Sequence, residues 1–221
     1  LSQNRTFFLL SFISFIFFCK SVLSDVAFIT NQESNTLDII DLKLKKNIKQ
    51  IKVGKKPAGI TIDKKNKIIF VSNPKSNNVS KVNLEKNTHE FLFAGNSPMS
   101  LHYSESDKLL YVSNWYENKV SVVNTVNNKL IKKINVGKSP AGIFVDENLN
   151  RLFVANKDNN TVSIIDTNEF RMLKNIQVGN APYGVFSSPM TEYIFITNVQ
   201  SNSVTLINKK TLKVEEEIKV G

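Results

Sequence analysis

At 221 residues, with 41% hydrophobic and 22% charged side chains, the chain has the composition of a folded globular protein of one or two domains, which excludes disorder over most of its length. It carries 29 lysines and arginines against 19 acids, a net +10. A single cysteine excludes an internal disulfide or a thiolate metal site.

In chain order the first feature is "NRTFFLLSFISFIFFCKSVLSD", with Arg5, an apolar run from Phe7 to Phe18, and Val22 and Ser24 placed like the small residues of a cleavage site. This reads as a secretory signal peptide over residues 1–24. The apolar run of 12 residues is short of the roughly 20 a spanning helix needs; an uncleaved anchor, or a lipid anchor at Cys19, is the alternative. Removal of residues 1–24 takes away Cys19, Arg5 and Lys20 and leaves 27 basic against 19 acidic residues, a net +8. An exported, cysteine-free basic protein fits a periplasm, the extracellular space or a cell surface. With Leu1 in place of Met, the sequence is expected to be a fragment.

From residue 25 onward the chain repeats itself, and a fixed period decides the architecture. Asn31, Asn73, Asn114, Asn156 and Asn198 recur at steps of 42, 41, 42 and 42, closing the phrases "VAFITN", "IIFVSN", "LLYVSN", "LFVAN" and "YIFITN". Gly54, Gly95, Gly137, Gly179 and Gly221 keep the same period, and Pro57, Pro98, Pro140 and Pro182 each follow three residues behind a glycine. The copies run over about 25–53, 54–94, 95–136, 137–178 and 179–221.

Each period predicts four short β-strands. In the copy from 137 they fall at about 141–146, 151–155, 161–166 and 171–178, separated by turns rich in Asn, Asp, Gly and Lys. The second strand is apolar on both faces, so it is expected to be buried between sheets, and the lysine-rich fourth is expected to be an exposed edge. Four-stranded sheets covered on both sides and repeated at about 40 residues predict an all-β fold, a β-propeller. In the link the glycine is expected to release the turn and the proline to fix φ where the next strand begins. The first copy lacks its innermost strand and the last ends on a bare "VG". The expectation is five blades of a larger ring, closed by a strand beyond Gly221. The face left open would show Ile194, Phe195, Ile196 and Leu206 and promote association.

The phrases "FVSN", "YVSN", "FITN", "VSIID" and "VGKSPAG" resemble the YVTN family of β-propeller repeats, and the resemblance extends over residues 26–221. It implies an exported bacterial or archaeal protein, in a family whose rings usually have seven blades. Related propellers include surface-layer proteins, periplasmic proteins associated with quinone-dependent alcohol oxidation, and the haem domain of cytochrome nitrite reductases. The family specifies shape more firmly than chemistry.

Residues present in every copy serve the blade, so the repeated Asn, Gly and Pro are structural. Departures mark candidates for ligand binding. Met99 and Tyr183 replace the alanine of "PAG", and "NWYENK" holds Trp115, the one tryptophan, beside Tyr116. Both loop types are expected at one mouth of the central channel, where these side chains either form a binding surface or pack on each other. His102 occupies a position that holds Thr61, Phe144 and Phe186 in other copies, which favours packing between blades over a haem or metal ligand. His89 is expected in a solvated turn. There is no covalent-haem, nucleophile-elbow or phosphate-loop motif, no metal-ligand spacing, and a cofactor is left unassigned.

Lysines crowd "LKLKKNIKQIK" (42–52), "DKKNK" (63–67) and "NKKTLK" (208–213). They read as a solvated rim that protects sheet edges, or as a surface drawn to anionic partners. Without interleaved aromatics they do not support specific nucleic-acid recognition. The functional expectation is an exported, non-catalytic propeller that binds or scaffolds a protein or small ligand. The alternative is a propeller subunit of a periplasmic quinone- or haem-dependent redox enzyme.

Overall fold

The computed structural model describes residues 26–221; the expected signal peptide and Cys19 lie outside them. Among the described residues, 19 strands form five antiparallel sheets. The first sheet has three strands, β1 (Val26–Asn31), β2 (Thr36–Asp41) and β3 (Lys46–Lys52). The second holds β4 (Ile60–Asp63), β5 (Ile68–Asn73), β6 (Asn78–Asn83) and β7 (Thr88–Leu92). The third holds β8 (Pro98–Ser104), β9 (Leu109–Asn114), β10 (Lys119–Asn124) and β11 (Lys129–Asn135). The fourth holds β12 (Pro140–Asp146), β13 (Arg151–Asn156), β14 (Thr161–Asp166) and β15 (Arg171–Gln177). The fifth holds β16 (Pro182–Phe186), β17 (Tyr193–Asn198), β18 (Ser203–Asn208) and β19 (Val214–Lys219). Each sheet is a meander in chain order, and the innermost strands β4, β8, β12 and β16 stand side by side. These are propeller blades, with the first lacking its innermost strand. Among the described residues, no helix is long and apolar enough to cross a membrane.

The core is four layers, one between each successive pair of blades. One aromatic from each second strand fills the layer toward the following blade: Phe28 beside Ile69 and Val71, Phe70 beside Leu101 and Tyr103, Tyr111 beside Ile143 and Leu152, Phe153 beside Ile194 and Ile196. β9 is buried along its whole length, and β5 and β13 are buried but for their first residue. In β1 and β17, by contrast, burial is partial. The second-strand expectation therefore holds for the three inner blades and not for the outer two, because a strand is covered on both faces only where two sheets flank it. The fourth strands are the most exposed of each sheet, as expected of an outer edge.

The sequence reading had the link glycine release the turn, but of the four link glycines that precede a proline only Gly95 has positive φ. Gly54, Gly137 and Gly179 do not have positive φ; the residue before each link proline does, namely Lys56, Ser97, Ser139 and Ala181, with φ of 52–53°. The glycine instead makes room. A Cβ on Gly137 would lie 2.6 Å from the Asn156 side chain, and Gly54, Gly95 and Gly179 meet Asn73, Asn114 and Asn198 in the same way. Those asparagines tie the second strand to the third: Asn156 Nδ2 donates to Thr161 (3.1 Å) and Ser163 (2.8 Å), and Asn156 Oδ1 accepts the Gly137 N–H (3.0 Å).

A second asparagine series, not singled out in the sequence, joins blade to blade. Asn35, Asn77, Asn118, Asn160 and Asn202 all adopt the left-handed conformation at the turn into the third strand, which Asn tolerates better than other side chains. Four of them accept, through Oδ1, the N–H of the left-handed link residue of the following blade: Lys56 (2.8 Å), Ser97 (2.9 Å), Ser139 (3.1 Å) and Ala181 (2.9 Å). Hydroxyls of Thr30, Ser72 and Ser113 add a bond each to the carbonyls of Ala58, Met99 and Ala141 in the next blade.

Candidate functional site

Two ends of the channel differ in chemistry. At one end, the links and the turns between second and third strands converge. Innermost strands crowd there: the Tyr183 carbonyl lies 2.3 Å from where a Cβ on Gly142 would sit, so only glycine lets β12 and β16 approach this closely. The mouth is a cavity of about 390 Å³ lined by Gln32, Ala58, Gly59, Met99, Gly142 and Tyr183.

Trp115 stands over its edge. The turn that carries it is held by Glu117, whose carboxylate accepts the Asn96 N–H (2.8 Å) and pairs with Lys133 (2.6 Å). The Trp115 ring lies 6.5 Å from the Tyr183 ring, tilted by 56°, and Lys157 Nζ sits 5.5 Å above the indole, a cation–π geometry. Ser139 donates to Asp158 at 2.5 Å, and this hydroxyl together with Lys157 holds the Asp158 carboxyl below its usual range. Tyr183 remains 42% exposed, so packing on Trp115 does not close it to solvent. The structure thus brings together Trp115, Tyr183 and Met99. Tyr116, 75% exposed, turns away into a separate groove beside Pro74 and Asn77.

His102 lies at the opposite end. It packs edge-on against Phe144 of the next blade, 5.4 Å between ring centres, and lines a cavity of about 550 Å³ with Glu147, Met190 and Lys209. Lys209, expected in the solvated rim, is buried there, paired with Asp146 at 3.2 Å and donating to the Ser188 carbonyl at 3.0 Å. A buried cation needs such partners, and a run of lysines does not reveal which member has them. His89 is on β7 rather than in a turn, exposed and edge-on against Phe91.

Burial lowers the His102 pKa below the ordinary imidazole value, with Glu147 opposing. A depressed histidine leaves stability whole above its unfolded value of about 6.5 and erodes it as pH falls toward the folded value. His102→Phe, which installs the residue found at 144 and 186, should shrink the loss of melting temperature over that window. His89, whose pKa partial desolvation also lowers, contributes to the loss that remains. Parallel melting curves for the variant and the parent across the window would remove His102 from this role.

A family model described as a YNCE-like beta-propeller matches residues 62–151. With the five meander sheets and the repeat phrases, this decides the assignment. The chain is a β-propeller built of repeats that resemble the YVTN type. Among solved structures, this propeller resembles hydrazine synthase of Kuenenia stuttgartiensis with 14% identity and a TM-score of 0.67, over 89% of this chain and 84% of that one. It also resembles a functionally unknown protein from Desulfotomaculum acetoxidans DSM 771, at 16% identity and a TM-score of 0.75, over 87% of this chain and 68% of that one. Likeness at these identities concerns the fold. No curated protein sequence matches.

Proposed function

We propose that this propeller is an exported, non-catalytic binding or scaffolding module whose protein or small-molecule ligand docks at the channel mouth against Trp115, Tyr183 and Met99. The observation that carries this reading is the half-buried Trp115 packed beside the exposed Tyr183 at the rim of a cavity, in the copies that depart from the repeat. Everything the copies share serves the blade; these side chains do not recur from copy to copy. Large aromatic anchors with a cation at the edge suit an apolar or aromatic group better than an ion. The exported location belongs to the proposal and rests on the character of residues 1–24.

Trp115 is the sole tryptophan, so its emission reports on this mouth alone. Titration with secreted-protein and small-molecule extract fractions should shift that emission. Calorimetry with the purified binder should then show a loss of about tenfold or more for Trp115→Ala and for Tyr183→Ala. Full affinity in both variants would place the ligand elsewhere. The second reading, a propeller component of a redox enzyme, draws on the likeness to hydrazine synthase. Titration with haem or a quinone, followed by absorbance, separates it from the first: a saturable spectral change favours the enzyme component.

A further inference from the structure

The end of the molecule opposite Trp115 carries the turns from first to second and from third to fourth strands, because alternate turns of a meander lie at alternate ends. In the first two blades these turns are 42–45 ("LKLK"), 64–67 ("KKNK") and 84–87 ("LEKN"), six lysines against one glutamate. The corresponding turns of the other three blades hold four lysines against five carboxylates. Positive charge is therefore gathered on one sector of this end and not spread as a uniform rim.

The sector is continuous. Lys49 Nζ donates to Asn87 Oδ1 (2.8 Å), joining the outer strand of the first blade to the turn of the second, and Lys67 pairs with Glu85 (3.2 Å), joining the two turns of the second blade. That pair neutralises the one acid. Lys43, Lys45, Lys46, Lys64, Lys65 and Lys86 are exposed, and among the described residues none has a carboxylate within ion-pairing distance.

Between these lysines stand two exposed leucines, Leu42 at 54% and Leu44 at 62%. Leu84, the counterpart of Leu42, packs onto the core between the first two blades, so that position has a packing role. Leu44 has none: its counterparts are Lys86, Asn127, Glu169 and Thr211. An apolar side chain at a hairpin tip ringed by unpaired lysines is the combination that favours a lipid interface. The leucine enters the boundary of headgroups and acyl chains while the ammonium groups meet anionic headgroups. A polyanion in water would use the lysines and gain nothing from Leu44.

We propose that this sector, the 42–46, 64–67 and 84–87 turns, docks the propeller onto the surface of an anionic lipid bilayer, with Leu44 inserted. The channel mouth at the other end would then face away from the membrane, open to ligand.

The test uses the full chain, sedimented with vesicles of phosphatidylcholine alone and of phosphatidylcholine with about one third phosphatidylglycerol. The neutral vesicles set the baseline for the apolar run at residues 7–18. Binding above that baseline is expected on the anionic vesicles only, falling as salt rises, by about fivefold for each lysine removed in Lys64→Ser and Lys65→Ser. Leu44→Ser should weaken it severalfold without lowering the melting temperature, since other copies carry polar residues there. Equal binding to both vesicle types overturns the proposal. So does unchanged binding by Leu44→Ser, and so does tight retention on heparin without vesicle binding, which would make the sector a polyanion surface.

Discussion

Asn156→Ala is expected to lower the melting temperature by about 10 °C or more, from a loss of about 3–5 kcal/mol. Asn156 is fully buried and makes three hydrogen bonds, so its truncation strands the Gly137 N–H and leaves the Thr161 and Ser163 hydroxyls short of a partner. Each buried polar group left unpaired costs about 1–3 kcal/mol. Asn31→Ala, at the matching place in the first copy, should cost about 1 kcal/mol, since Asn31 is only partly buried and its side chain makes one bond, to Thr36. Gly137→Ala should approach the cost of Asn156→Ala, because its Cβ would fall 2.6 Å from Asn156. Denaturant melts of the three variants give the order. If Asn156→Ala and Gly137→Ala melt within about 2 °C of the parent, the asparagine–glycine cradle does not hold the blade.

That cradle shows how far the sequence could be read. Period, blade number and strand positions follow from it directly: the strands expected at about 151–155 and 161–166 run Arg151–Asn156 and Thr161–Asp166. Such legibility has a physical origin. The same packing problem is solved five times, so each solution leaves the same residues at the same spacing. Partnership between two invariant positions does not show in spacing. The link glycine and the strand-ending asparagine recur together, yet only coordinates show that one exists to seat the other, and that the left-handed turn falls on Lys56, Ser97, Ser139 and Ala181. The asparagine series from Asn35 to Asn202 was equally periodic and could have been found by the same count.

The candidate site was legible where it broke the period. Met99, Trp115 and Tyr183 stood out as departures, and they lie at one mouth. Tyr116 and His102 also departed, yet they point into other spaces, because adjacent residues of a turn diverge and a strand seven residues long carries its far end to the opposite face. Lys209 escaped notice for the converse reason: it is one lysine among many, and its burial depends on Asp146, which lies 63 positions earlier in the sequence.

Phe153 and Phe195 occupy the same place in successive copies, and substitution to alanine should separate them sharply. Phe153 is fully buried in the layer between the fourth and fifth blades, and its loss should cost about 3–5 kcal/mol. Phe195 points away from that layer. Sequence reading expected Ile194 and Ile196 on the open face as well, but strand alternation sends both inward, fully buried, and leaves Phe195, Leu206 and Phe186 on the outer side. Phe186 is 65% exposed, where its counterpart Phe144 packs against His102. Each earlier blade uses this face to meet its successor, and Asn202 presents there the left-handed turn that in the other copies receives the next link. A partly buried phenylalanine has less burial to lose, so Phe195→Ala should cost about 1–2 kcal/mol. The same face should drive association of the chain, in which case Phe186→Ser with Phe195→Ser makes the sedimentation coefficient smaller and independent of concentration. Equal costs for Phe153→Ala and Phe195→Ala, measured at a dilution where the parent sediments as a monomer, would contradict an uncovered fifth blade.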